Sequence, residues 1–249
     1  METSLHKQLK DAYADGTAEI EVPLGDYRID VVQPGLLVEI QHGSLAAIRD
    51  KIQKLLADHR VLVVKPILIE KQLVKLDKKD GKVTGQRKSP KTGCLLDLFD
   101  ELLYFTRVFP HPNLVLEVPL VDVKELRYPG HGRRRRKRKN DFVVQDRILT
   151  GIRETHRFVT HGDLIRLIPP GLPRPFHTGD LAKILNVDRG VAQKIAYCFR
   201  HMGTVKQVGK SGNAYLYEFA GRKRSAKKTS AKKKSPTRSK TTSRKKARA

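Results

Sequence analysis

No stretch of this sequence approaches the ~18 uninterrupted apolar residues of a membrane-crossing helix, and only two of its 249 residues are cysteine. The first absence excludes a helical membrane span. The second argues against a disulfide framework, and Cys94 and Cys198 lack any metal-ligand spacing. Two free, buried thiols in a reducing compartment are expected. The opening METSLHKQLKDAYA is polar and amphipathic, without the apolar core of a secretory leader. A cytoplasmic protein is expected. A third absence is acid near the C-terminus: residues 221–249 hold fourteen Lys or Arg and no Asp or Glu.

That last absence explains the overall charge. The net charge is +25, and the run Arg133–Lys139 adds seven cations in seven positions. With both segments set aside, only +4 remains for everything else. The foldable parts are close to neutral, and the basicity sits in two appendages that repel themselves and favour polyanions. Hydrophobic content of 39% is enough for cores in a chain of this length, although the mean hydropathy is −0.49.

Leu5, Leu9 and Tyr13 recur at helical spacing, with Gly16 as a stop. Three strand-like runs follow at 18–24, 27–33 and 36–41, separated by Gly25-Asp26 and Pro34-Gly35 turns. Ser44 is placed to cap a helix with Ile48, Ile52, Leu55 and Leu56 on one face. The run RVLVVKPIL at 60–68 reads as one central strand covered on both faces. This order predicts a small α/β mixed-sheet unit. A strand at 71–76, a basic loop at 87–93, a helix at 95–105 and a strand at 114–123 extend it. The expected division is a first domain at 1–130, a mobile basic loop at 131–142, a helical connector at 143–172, a compact α+β unit at 173–220 and a disordered basic tail at 221–249.

Candidate chemistry lies in YRIDVVQPGLLVEIQ. If Gln33 and Leu36 close a two-residue turn, Asp30 stands opposite Glu39 and Arg28 opposite Gln41, all on one face. Opposed carboxylates repel each other, and a divalent cation between them reverses that penalty. Asp30 followed by Glu39-Ile40-Gln41 on consecutive strands before a helix resembles the restriction-endonuclease-like (PD-(D/E)XK) superfamily. The resemblance implies a nuclease holding Mg²⁺ on Asp30 and Glu39, with Glu21 or Glu19 as a further acidic ligand. Gln41 stands where that family usually has a catalytic lysine, and Lys51 in the following helix is the candidate replacement. A nuclease fold that only binds, and plain surface charge, are the competing readings. The phrases EIQHGS, DHRV, RKSPK and GKSGNAYLY also resemble an uncharacterised bacterial group.

Within 173–220, Thr178 can cap a helix running through Leu185. A second helix near 190–202 and strands near 204–208 and 214–219 follow. Helix, turn, helix and hairpin is the layout of a winged helix-turn-helix. Its candidate DNA contacts are Arg189, Gln193, Lys194 and Arg200 on the second helix, with Lys206 and Lys210 on the wing. Arg87, Lys88 and the cations Arg133, Arg134, Arg135 and Arg136 are candidate backbone contacts. The tail resembles the arms of histone H1-like proteins, and its KKSPTR is similar to basic repeats that lie in minor grooves. The expected partner is double-stranded DNA, at the nucleoid. The rival to a Mg²⁺-dependent nuclease is a non-catalytic nucleoid-associated or regulatory DNA-binding protein.

Overall fold

A computed structural model describes residues 3–130 and 141–220. Most of the predicted loop at 131–142, with Arg133 to Arg136, and the whole predicted tail lie outside the described residues.

The chain opens with α1 (Ser4–Tyr13), whose cap is the Thr3 hydroxyl accepting from the His6 N–H. Leu5 and Leu9 are fully buried. Strands β1 (Glu19–Leu24), β2 (Tyr27–Gln33) and β3 (Leu36–Ile40) form an antiparallel meander. Its two turns need Gly25 and Gly35 at φ +57 and +74, conformations that a side chain would strain. The Ser44 hydroxyl caps a short 3-10 turn at Leu45–Ala47, and α2 (Arg49–Leu55) follows. This crossover returns β4 (Val61–Val64) parallel to β3.

The apolar run at 60–68 is not one strand. Pro66 has no N–H to give a ladder, and the chain breaks there into β4 and β5 (Ile67–Leu76). The basic loop expected at 87–93 is also partly strand: Arg87 and Lys88 end β6 (Val83–Lys88), which pairs antiparallel with β5. After α3 (Leu98–Leu102) comes β7 (Leu114–Pro129), of 16 residues.

The predicted helical connector is a strand over most of its length. β8 (Phe142–Phe158) runs 17 residues antiparallel to β7. Val143, Val144, Ile148, Thr150, Ile152 and Thr155 suit a pleated surface better than a helix, and Gly151 sits in mid-run. The first unit therefore does not end at 130. Its sheet closes only at Phe158, followed by α4 (His161–Ile165).

The hairpin β7–β8 is the spine of an eight-stranded mixed sheet. Along one edge of β7, β4 pairs with Leu114–Glu117 and β5 with Leu120–Arg127. β8 takes the other edge. The base of the hairpin thus joins β1, β2, β3 and β4, while its tip joins β5 and β6. Helix α1 covers one face of the base with Val31, Val38 and Ile40. Helix α2 covers the other with Ile29 and Leu37.

The remaining elements are α5 (Thr178–Leu185), α6 (Arg189–His201), β9 (Val205–Ser211) and β10 (Ala214–Phe219). The cap of α5 is His177, not Thr178: its ring nitrogen accepts from the Asp180 N–H, and the Asp180 carboxylate accepts from the His177 N–H. Asn186, left-handed at φ 50, ends α5 and starts the turn into α6. This unit is continuous with the sheet domain through one core. Phe99 of α3 meets Phe199 of α6 edge-to-face at 5.5 Å, and buried Cys198 lies beside them. The other cysteine, Cys94, is exposed, against expectation. Among the described residues no helix is long and apolar enough to cross a membrane.

Candidate functional site

The carboxyl ends of the parallel strands β3 and β4 bring together Glu39, Gln41, His42 and Lys65. Asp30 comes from β2, His6 from α1 and Lys51 from α2. The register follows the sequence reading from Gln33 opposite Leu36 to Val31 opposite Val38, and the ladder ends there, before Asp30 and Glu39. The side chains do not follow it. Ile29 lies in the core under α2 and Val31 in the core under α1. Two residues apart on an ordinary strand, they would share a face. The backbone of β2 therefore turns over at Asp30. Opposite it, Glu21 takes the left-handed φ of 59 that a non-glycine residue rarely adopts.

The consequence is that the two acids serve opposite faces. Asp30 Oδ2 accepts from the Ile40 N–H at 2.8 Å and lies 3.3 Å from His6 Nε2 on the α1 side. Burial alone would raise its pKa. The His6 hydrogen bond, the Ile40 N–H and the nearby charges outweigh burial and hold the carboxyl low. Glu39 turns to the α2 side, where it is 4% exposed. Its Oε1 lies 2.5 Å from Lys51 Nζ, a close ion pair. Burial pushes Glu39 up to about 7, and the charge of Asp30 adds to the rise while Lys51 opposes it.

The acids predicted to hold a metal fit that role poorly. Glu21 pairs with Lys10 and with Arg28 at 2.5 Å, Asp30 with His6, and Glu39 with Lys51. A dication site needs surplus negative charge with open lone pairs, and here Glu21 and Glu39 each face a lysine or arginine while Asp30 is held by the His6 ring and the Ile40 N–H. Among the described residues no group of three or more His, Cys, Asp or Glu side chains is arranged to hold a metal ion. Lys51 does stand beside Glu39, as expected, but its Nζ is also committed to the Arg28 carbonyl at 2.5 Å. Gln41 is spent on the loop, donating from Nε2 to the Ser44 carbonyl at 2.7 Å.

Sequence reasoning missed the group beside them. Lys65 is 4% exposed, donates to the Gly43 carbonyl and lies 3.3 Å from Glu101. Glu101 in turn accepts from the Leu45 N–H at 2.9 Å. Burial lowers the Lys65 pKa, opposed by Glu101. The pair ties the loop after β3 to α3, and losing Glu101 would leave the buried Lys65 charge without its carboxylate. The signal was available: one lysine inside an apolar run, next to a proline. His42, whose ring centroid lies 5.8 Å from that of His6, has a pKa lowered by burial and then by the His6 charge.

The second candidate surface is α6 with its hairpin. Ala192, Ile195, Ala196 and Phe199 are buried, while Arg189, Gln193, Tyr197 and Arg200 form the exposed stripe. Lys194, predicted to contact DNA, instead pairs with Asp100 of α3 at 2.7 Å. Lys206 and Lys210 are exposed on β9, and Lys210 Nζ lies 5.0 Å from the centre of the Tyr215 ring. On β6, Arg87 is exposed with no acidic partner among the described residues, whereas Lys88 pairs with Glu70 at 2.7 Å.

Fold and site define a mixed α/β protein with a charge-balanced centre and a separate, cation-bearing helix face. The family described as "Domain of unknown function (DUF8091)" matches residues 3–159, and the chain belongs to it. That match spans α1 to the end of β8 and stops before α4. The chain is also 30% identical over 218 residues to a Treponema pallidum (strain Nichols) protein described as uncharacterized, covering 87% of this chain and 84% of that one. No solved structure matches.

Proposed function

We propose that this chain is a DNA-binding protein that holds duplex DNA without hydrolysing it. The observation that carries the reading is the division of α6. Its apolar stripe is consumed by the core, while Arg189, Gln193 and Arg200 stand exposed beside the lysines of a two-stranded hairpin. The order from α4 onward supports a winged helix. After α4 an isolated antiparallel bridge joins Phe176 to Tyr217, then come α5, α6 and the β9–β10 pair. In that layout α6 enters the major groove and the hairpin lies along the backbone. The cations at 133–139 and 221–249 add sequence-independent affinity through counterion release.

The order α1, β1, β2, β3, α2, β4, with β4 returning parallel to β3, supports a nuclease-like core in degenerate form. The balanced charges of Asp30, Glu39 and Glu21 favour binding over Mg²⁺-dependent cleavage.

Fluorescence anisotropy of the full chain on a labelled duplex tests the binding. The triple change Arg189→Ala/Gln193→Ala/Arg200→Ala is expected to weaken it by at least tenfold at constant salt, and unchanged affinity would remove α6 from the interface. Incubation with plasmid and Mg²⁺ tests the rest. Intact plasmid is expected; cleavage that disappears in Asp30→Ala/Glu39→Ala would restore the nuclease reading.

A further inference from the structure

At the tip of the long hairpin, β5, β6, β7 and β8 enclose a cleft of about 390 Å³ lined by Lys75, Thr84, Arg87, Arg127, Asp141 and Phe142, among others. Its floor is rigid. The Arg127 guanidinium lies 4.0 Å from the centre of the Phe142 ring. Behind it, Glu125 is 1% exposed and shared between Arg127 at 2.5 Å and Arg147 at 2.9 Å. Around the cleft four cations, Arg127, Arg147, Lys75 and Arg87, face two carboxylates, Glu125 and Asp141, which leaves a net positive charge. Burial would raise the Glu125 pKa, but hydrogen bonds from Arg147 and Arg127 hold it low, so that carboxylate stays ionised and keeps the arginines in place. The rim adds Lys75 and Arg87, both exposed and without an acidic partner among the described residues. Phe142 is also where the chain re-enters β8 from the segment that carries seven consecutive cations.

We propose that this cleft is a second phosphate-binding surface, engaging the backbone of the same duplex that α6 holds. The inference rests on the DNA-binding reading and adds a geometry to it. The unit carrying α6 packs at the base of the hairpin, where Phe158 pairs with Leu116 and Phe99 meets Phe199. The cleft lies toward the other end of β7, where Arg127 stands 11 residues from Leu116. At ~3.3 Å per residue, those two positions are about 36 Å apart along the strand. B-DNA rises ~3.4 Å per base pair, so a duplex of about 11 base pairs is the shortest that spans that separation. Two linked surfaces on one chain give a gain from effective concentration once the ligand spans them.

The test compares full-length protein on a duplex of about 10 base pairs and one of about 24 base pairs, one below and one above that span. The wild type is expected to bind the longer duplex ~100-fold more tightly than the shorter, more than the added sites alone explain. Lys75→Glu/Arg87→Glu should cut that ratio by at least tenfold, and Lys75→Ala/Arg87→Ala should cut it less. An unchanged melting temperature confirms that the variants are folded. Equal length ratios in wild type and variants would overturn the proposal. So would competition by polyglutamate as strong as that by the duplex, because the cleft would then be recognising carboxylates. If the α6 triple change leaves both affinities untouched, the α6 reading fails separately, whatever the length ratio does.

Discussion

The two charged regions of this molecule contrast in where their counter-charges come from. Around the end of β3, Glu39 and Glu21 are each answered by a cation from within the chain, and Asp30 by the His6 ring and the Ile40 N–H. On α6 and β9, Arg189, Arg200, Lys206 and Lys210 have no carboxylate partner among the described residues. Self-neutralised charge stiffens a fold, whereas unanswered charge on a surface is available to another molecule. Lys194 shows that the distinction follows position rather than residue type. It shares a helix with the open arginines and is occupied by Asp100.

Four measurements break or sharpen the contrast. The largest effect is expected from Phe199→Ala, which removes the ring that joins α6 to α3. Denaturant unfolding should show a loss of ~3–5 kcal/mol. Two separate transitions in the wild type would mean that the shared core is not cooperative. Next is deletion of residues 221–249. With fourteen cations gone, DNA affinity at low salt should fall ~100-fold and the plot of log affinity against log salt should flatten. An identical slope would show that the segment does not touch the duplex.

The third concerns the balanced centre. The folded pKa of Glu39 is raised from 4.5 to about 7. Between those values the folded state binds the proton and the unfolded state releases it, so stability falls as pH rises through that window, by at most about 3 kcal/mol. The Asp30 carboxyl is shifted the other way, and its stabilisation is lost only at more acid pH. Glu39→Gln should therefore flatten the decline in melting temperature from pH 5 to pH 8. A decline as steep as that of the wild type would assign it to other groups. The smallest effect is expected from Lys194→Ala, which should change DNA affinity less than twofold because that ammonium already serves Asp100. A loss comparable to that of an α6 arginine would mean that the lysine leaves Asp100 to reach DNA.

Much of the fold was legible locally. The helix at Leu5 and Leu9, the three-strand meander and the helix pair at 178–201 were expected from spacing and turn residues, to within a few residues. The capping serine was also found, although Ser44 starts a 3-10 turn before α2. The largest failure was β8. It is half-exposed or exposed along most of its length, so no clear alternation of buried and open residues marks it, and its β-branched residues become a strand beside β7. Beside the candidate site the hairpin register was readable as far as Val31 and Val38. The turnover of β2 at Asp30 was not, because it depends on α1 and α2 competing for adjacent residues from opposite faces.

The sequence by itself determined that the positive charge is segregated at 133–139 and 221–249, that a mixed α/β core precedes a helix pair, and that one stripe of α6 is polar. These follow from composition and short-range periodicity, which need no partner. Only the tertiary structure decided that β7 and β8 form one long spine, that Asp30 and Glu39 part company, and that Lys194 is taken while Arg189 and Arg200 stay open. Each of those depends on what a distant segment places alongside, and a side chain's charge has no fixed use until that neighbour is known.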